Sequence, residues 1–241
     1  MRILLVSDLH ANAAALAVLP AADAVLCGGD LVDFGPDPIA AIDWCVARRA
    51  TVVKGNHDFA LSHGADCGVR GRMRAASVRT RRAHALMLDV ARVDVLRKLP
   101  NVATVTFGGT VFALTHATPD DVYPYVDPHD AAGLLAQAVP LAQVLLLGHT
   151  HLQAAFEQDG RVVVNPGSVG LSTAGGAVQY AVWEDGQITL HTESYDADAT
   201  IARLGDLDLD AEAYEPLVQA FRQGRRREPS DLGRLSGRCL G

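Results

Sequence analysis

Five short aliphatic runs that end in metal-ligating side chains constrain this chain more than any other feature of its sequence. Residues 3–7 run into Asp8-Leu9-His10, residues 24–27 into Gly28-Gly29-Asp30, and residues 51–54 into Gly55-Asn56-His57-Asp58. Residues 110–115 lead to His116, and the run 144–147 leads to Gly148-His149-Thr150-His151. Runs of this length, aliphatic and bounded by turn residues, read as strands. In open α/β sheets the carboxyl ends of the strands form the rim where ligands bind, so clusters far apart in sequence converge there.

Helical stretches separate the early runs. Residues 13–19 follow Asn12 and stop at Pro20; residues 38–48 follow Asp37 and begin with Pro38. Both carry the side chains that cap and start helices. Strand and helix thus alternate over the first third, which implies parallel strands. Further strand-like runs lie at 102–107, 154–158, 161–164, 178–183 and 188–192, with Asp159-Gly160 and Glu184-Asp185-Gly186 as tight turns. The expected organisation is one α/β domain over residues 1–200 with mixed sheets and helices outside, then a C-terminal helical extension over 201–241. The extension carries Asp206, Asp208, Asp210, Glu212 and Glu215, a helix over 211–222, then Arg225-Arg226-Arg227 and a loosely held Gly/Ser-containing end. It offers a surface for oligomerisation.

At 241 residues the chain can bury about 70% of its unfolded surface, so its core needs no disulfides or metals. Hydrophobic residues at 49% and charged residues at 20% exclude wholesale disorder. Lys and Arg number 21 against 28 Asp and Glu, a net charge of −7 that disfavours bulk nucleic acid and anionic lipid as partners. Cys27, Cys45, Cys67 and Cys239 form no CxxC or paired spacing, which suits a reducing cytoplasm. The apolar run at residues 3–6 is too short for a signal peptide, and no stretch approaches the ~20 residues of a membrane helix. A cytoplasmic protein without membrane contact is expected.

By type, the clusters offer carboxylate oxygen, imidazole nitrogen and amide oxygen, a set suited to Mn, Fe, Co, Ni or Zn. Asp8, His10, Asp30, Asn56, His116, His149 and His151 exceed the needs of one tetrahedral ion and suffice for two. Two ions ~3.5–4 Å apart clamp a phosphate and activate water at neutral pH. Glycines before Asp30, Asn56 and His149 let the backbone turn sharply. His63, His84, His129 and His191 fall outside the clusters and read as structural or solvent-exposed.

Together, Asp8-x-His10, Gly29-Asp30, Gly55-Asn56-His57-Asp58, His116 and Gly148-His149-x-His151 resemble the calcineurin-like metallophosphoesterase superfamily, from Met1 to near residue 195. Asn165-Pro166-Gly167-Ser168 and Gly35-Pro36-Asp37-Pro38 resemble its small bacterial and archaeal phosphodiesterase-type branch. The resemblance implies an α/β fold: a four-layer αββα sandwich with two mixed β-sheets and a dinuclear metal site at one sheet edge. It implies that Asp8, His10 and His151 hold one divalent ion, that Asn56, His116 and His149 hold the other, and that Asp30 bridges them. His57 would then face the phosphate and protonate the leaving oxygen, a task suited to His near pH 7. Asp33 would hold the His57 imidazole, and Asp58 reads as support for its own turn. Asn12 serves either to contact phosphate at a helix N-terminus or simply to cap that helix.

Two departures bear on substrate. Ala11 stands where the family usually carries glycine, which adds a methyl near the metal edge. In the Ser/Thr protein phosphatase branch the second motif reads Gly-Asp-x-x-Asp-Arg-Gly; here it is Gly29-Asp30-Leu31-Val32-Asp33-Phe34-Gly35. Arginine meets a dianionic monoester bidentately, whereas Phe34 offers an apolar wall to a diester's second substituent. The expectation is a phosphodiesterase acting on a small nucleotide or another small phosphoester. The alternatives are a dinucleoside polyphosphate hydrolase and a phosphoprotein phosphatase. A non-catalytic scaffold of this fold, such as the retromer subunit, lacks the histidine matching His57, which this chain keeps. Arg70, Arg72, Arg74, Arg79, Arg81 and Arg82, with no acid between them, form a solvated helix face or a stripe that reaches extra phosphates. Tyr123 and Tyr125, on the loop 118–127, pack locally or stack on a base.

Overall fold

The computed structural model of the chain describes residues 1–225. Its first half runs β1 (Arg2–Val6), α1 (Ala13–Leu16), β2 (Ala24–Cys27), α2 (Pro38–Ala47), β3 (Thr51–Val52), α3 (Asn56–His63), α4 (Met73–Met87), α5 (Val90–Lys98), β4 (Val102–Phe107) and β5 (Thr110–Thr115). It continues through α6 (Pro128–Ala138), β6 (Val144–Leu147), β7 (Ala154–Gln158), β8 (Arg161–Asn165), β9 (Ala177–Glu184) and β10 (Gln187–Ser194). Two further helices, α7 (Ala197–Leu204) and α8 (Ala211–Gln223), flank a 3-10 turn at Gly205–Leu207.

β1 shows why four layers form. Successive side chains of a strand point to opposite faces, and Ile3, Leu4, Leu5 and Val6 are all buried. Ile3 and Leu5 pack with Phe112, Leu114, Val144 and Leu146 of the other sheet. Leu4 and Val6 pack with Leu16, Ala41, Ile42 and Leu96 of α1, α2 and α5. On the far side, Ala131, Ala132 and Leu135 of α6 cover Ala113, Leu145 and Val163. The result is the αββα sandwich.

Both sheets have five strands, in the orders β10-β9-β1-β2-β3 and β4-β5-β6-β8-β7. β1, β2 and β3 are parallel, and β9 runs antiparallel to β1 and β10. In the second sheet β5, β6 and β8 are parallel while β4 and β7 are antiparallel at the edges. The carboxyl ends of β1, β2, β5 and β6 meet at one rim. There the Cys27-Gly28 end of β2 and the Leu147-Gly148 end of β6 face each other, and a Cβ on Gly148 would lie 2.9 Å from the Gly28 carbonyl oxygen.

Three elements differ from the sequence reading. α1 stops at Leu16 because Val18 and Leu19 donate to Ala15 and Leu16, a tightened last turn ahead of Pro20. β3 pairs only through Thr51 and Val52, since Lys54 leaves the ladder and donates to Pro100 O at 2.8 Å. The boundary placed at residue 200 falls inside α7. α7 and α8 are joined to the domain by a core of their own, in which Ile201, Leu204, Leu217 and Phe221 surround Phe34, Ala76 and Leu171. Polar ties reinforce it: Arg79 donates twice to Asp210, and Arg72 donates to Gln219 at 2.6 Å. Two of the six arginines in the run, Arg72 and Arg79, therefore answer the extension, while Arg70 and Arg74 pair with Asp66 and Arg81 with Asp33.

Among the described residues no helix is long and apolar enough to cross a membrane. Cys27, Cys45 and Cys67 are free thiols. Cys239, Arg226-Arg227 and the Gly/Ser-containing end lie outside the described residues.

The loop after β8 closes over the end of β1, with Val169 N–H donating to Ser7 O and Gly170 N–H to Asp8 O at 2.9 Å. A Cβ on Gly170 would collide with the Leu9 carbonyl, which cannot retreat without moving the ligand loop. Gly170→Ala is expected to cost about 1–3 kcal/mol, the range for overpacking. Calorimetry should show a Tm several degrees lower; an unchanged Tm would contradict this contact.

Candidate metal centre and active site

To aim a side chain back over the rim immediately after a strand, the backbone turns left-handed. Asp8 (φ 56°), His10 (φ 42°), Asp30 (φ 55°), His149 (φ 67°) and His151 (φ 57°) all do so. Ala11, Asp33 and Phe34 share this conformation, so eight of the twelve described non-glycine residues with positive φ lie at this one place. Such residues each cost roughly 1–2 kcal/mol and persist where the surroundings over-determine them. Here Asp8, His10 and Ala11 donate their N–H groups to the carbonyls of Gly29, Asp30 and Leu31 at 2.9–3.0 Å, locking the two loops together.

Four imidazoles meet in this space, each with one nitrogen already committed. Nδ1 of His10, His116 and His151 donates to the carbonyls of Val32 (3.1 Å), Gly28 (2.7 Å) and Leu171 (2.7 Å). Nε2 of His149 donates to Tyr123 O at 3.2 Å. The remaining nitrogens, which carry lone pairs when the rings are neutral, face one another: His10 Nε2 and His151 Nε2 are 3.1 Å apart, as are His116 Nε2 and His149 Nδ1. Asn56 Oδ1 stands 3.0 Å from His116 Nε2, turned there by its own Nδ2, which donates to Cys67 O at 2.7 Å.

The carboxylates complete two groups. Asp8 Oδ1 lies 3.2 Å from His151 Nε2, is buried, and accepts no hydrogen bond. Asp30 Oδ2 lies between the groups, 3.3 Å from His116 Nε2 and 4.0 Å from His10 Nε2. Asp8, His10 and His151 form one set of convergent ligand atoms, and Asp30, His116 and His149 the other. Burial, aided by His116, pushes His149 down to about 3, and burial with His151 holds His10 well below the usual range. Burial works against charge on His116 too, yet Asp30 lifts it to about 9. Crowded acceptor atoms with that much negative potential fit a pair of divalent cations, and the carbonyl on each second nitrogen is the arrangement that orients metal-bound histidines.

Beside the cations' ligands stands a second device. His57 Nδ1 is 2.7 Å from Asp33 Oδ2, and that oxygen also receives Ser77 Oγ and Arg81 Nη1, both at 3.2 Å. Burial alone would lower the His57 pKa, but Cys67, Asp30 and the bond to Asp33 hold it well above its usual value. His84 keeps the Asp33 turn in place: Nδ1 accepts from Asp33 N–H at 3.2 Å and Nε2 donates to Gly35 O at 2.9 Å. Burial keeps His84 neutral, as that pattern requires. Asp58 accepts from the N–H groups of Asp30, Leu31 and Gly55 at 2.8–3.0 Å, tying the second cluster to the third.

Residues 1–185 match the model of the calcineurin-like phosphoesterase superfamily domain. The chain belongs to that superfamily. Among solved structures, it is similar to a metallophosphoesterase from Sphaerobacter thermophilus, with 25% identity over 92% of this chain and 98% of that one and a TM-score of 0.71. It shares its fold with protein PH1004 of Pyrococcus horikoshii OT3, at 16% identity, 93% and 99% coverage and a TM-score of 0.74. No curated protein matches the chain.

Within this superfamily domain, some sequence expectations need correction. Asn12 does not face the centre: it is fully buried, its Oδ1 caps α1 through Ala15 N–H and accepts from Thr200, and its Nδ2 donates to Gly170 O. No polar atom is left for phosphate. Phe34 is no substrate wall either. It is fully buried in the core shared with α7 and α8, with its ring 4.9 Å from those of His10 and His57. His63 stacks on Phe59 and His191 on Tyr180, while His129 bonds Gln158, all away from the centre. The sequence reading missed the roles of His84, Ser77 and Arg81, because none of them lies in a ligand motif.

A cavity of about 450 Å³ opens beside Asn56 and His149, lined further by Cys67, Arg70, Tyr123, Tyr125 and Arg225 among others. Tyr125 lies over the His149 ring at 4.1 Å, and Tyr123 OH donates to Asp66 O.

Asp30 stands between both ligand groups, so Asp30→Ala is expected to lower bound metal from two ions per chain to one or none. Elemental analysis with circular dichroism checks this: the fold should persist, since the apolar clusters that hold the layers together do not include the ligands. Two ions retained would remove Asp30 from the bridge.

Proposed function

We propose that the protein is a dinuclear metal-dependent phosphodiesterase, with Asp8, His10 and His151 holding one ion, Asn56, His116 and His149 the other, and Asp30 shared. The observation that carries this reading is the pair of imidazole lone-pair contacts, 3.1 Å each, on either side of Asp30. Divalent cations bound there supply charge stabilisation for phosphoryl oxygens and lower the pKa of water. The chain's own contribution is proton handling. His57, kept charged beside Asp33, carries the proton that a departing alkoxide needs, and Asp33 fixes the ring so that Nε2 is the donor. Ser77 and Arg81 hold Asp33 in turn.

Preference for diesters is supported by how the arginines are used. The phosphatase-type arginine position carries the buried Phe34, and Arg81, which reaches nearest the His57–Asp33 pair, is engaged by Asp33 and Ser77. No guanidinium at that position awaits the second charge of a monoester, while the adjoining cavity has room for a second substituent. With bis(p-nitrophenyl) phosphate and p-nitrophenyl phosphate assayed side by side on metal-loaded protein, kcat/KM should favour the diester. A tenfold preference for the monoester would replace this reading with a phosphatase.

His57→Ala should leave metal content unchanged and lower kcat by roughly 10²–10⁴, the scale of general acid–base catalysis. The loss should shrink as the leaving group improves. Equal losses across a leaving-group series would assign His57 to charge stabilisation instead.

A further inference from the structure

The cavity beside the centre is far larger than one phosphoryl group, and its volume of about 450 Å³ lies within the ~300–1,000 Å³ of small-molecule sites. Its walls come from stretches distant in sequence: Asn56 and His149 at the centre, the loop holding Cys67 and Arg70, the tyrosine loop, and Arg225 beyond α8. Arg225 Nη2 donates to Tyr125 OH at 2.9 Å, and the Tyr125 ring rests on His149. One aromatic ring therefore separates this guanidinium from a candidate metal ligand.

Arg225 enters the cavity from a fixed backbone. Its N–H donates to Ser172 O at 3.0 Å, Gly224 N–H donates to Ala220 O, and Gly176 N–H donates to Phe221 O at 2.7 Å. Phe221 is itself buried in the core beneath the centre. On the opposite lip, the single carboxylate of Asp66 is shared by Arg70 at 3.4 Å and Arg74 at 3.2 Å. Two guanidiniums, those of Arg70 and Arg225, thus line the cavity with Asp66 and Asp121, Arg74 bracing Asp66 from outside it, and the aromatic faces of Tyr123 and Tyr125 lie among them. Guanidinium forks match phosphate oxygens, and tyrosine rings offer a stacking surface to a flat heterocycle.

We propose that this cavity holds the second substituent of a phosphodiester, that this substituent is a nucleoside bearing a further phosphate, and that Arg225 selects for that phosphate. The inference rests on the phosphodiesterase reading and specifies its substrate class.

The test compares thymidine 5′-(p-nitrophenyl phosphate) with the same ester carrying a 3′-phosphate, so that the reacting diester and leaving group stay constant. For the metal-loaded full chain, kcat/KM should be about tenfold or more higher for the 3′-phosphorylated ester, mainly through KM, as expected of a hydrogen bond to a charged group. Arg225→Met should bring the ratio toward unity. Tyr125→Phe, which keeps the ring and removes the hydroxyl that holds Arg225, should give an intermediate ratio. Hydrolysis of both esters at equal kcat/KM, or a ratio untouched by Arg225→Met, overturns the inference and leaves the phosphodiesterase reading standing. Calorimetric binding of thymidine 3′,5′-bisphosphate against thymidine 5′-monophosphate gives the answer without turnover. Tighter bisphosphate binding that Arg225→Met abolishes supports the subsite even if neither ester is cleaved, in which case the catalytic reading fails alone. Equal binding of the two nucleotides overturns the subsite.

Discussion

Imidazoles whose second nitrogens are all tied to main-chain carbonyls have no freedom to turn away from one another. That constraint organises the centre. With Nδ1 of His10, His116 and His151 and Nε2 of His149 occupied by backbone acceptors, the four remaining nitrogens must point inward. The carbonyls belong to Gly28 and Val32 on the loop after β2, to Tyr123 on the loop after β5 and to Leu171 on the loop after β8, so ring orientation depends on both sheets ending at one rim. The left-handed turns at Asp8, Asp30 and His149 are strain that the rest of the fold sustains because these loops brace one another.

Asp33 is the second point where distant parts of the chain meet. One carboxylate oxygen gathers His57, Ser77 and Arg81, while its backbone N–H is held by His84. Ser77, Arg81 and His84 all project from α4, so the position of that helix sets the geometry of the proton donor. α4 in turn packs on α8, and the core between them contains Phe34, whose ring touches those of His10 and His57. The C-terminal helices therefore support the centre from below and, through Arg225, form part of the wall beside it.

The candidate ligands were legible in the sequence because most follow an aliphatic run that reads as a buried strand, and strand ends are where such side chains collect; before Asn56 the strand is only the half-buried Thr51–Val52. The αββα layering followed from the same runs together with the resemblance they carry. Asn12 illustrates the limit. Its cap on α1 is a local matter, three residues long, but its burial is decided by Gly170 and Thr200, which lie 158 and 188 positions away. Phe34 likewise looked like an exposed wall until α7 and α8 covered it.

What the sequence determined by itself is therefore what acts over a few residues: alternation along strands, capping at Asn12, the ligand types and their order along the chain; at Asp37, by contrast, the side chain leaves the helix end uncapped and pairs with Arg203. What only the tertiary structure decided is which arginines serve the site. Arg79 and Arg81 are two residues apart on α4, yet one binds Asp210 of the extension and the other binds Asp33. A helix turns by about 100° per residue, so neighbours on it face different layers. Which layer each meets depends on how the C-terminal helices stack, and no local pattern records that.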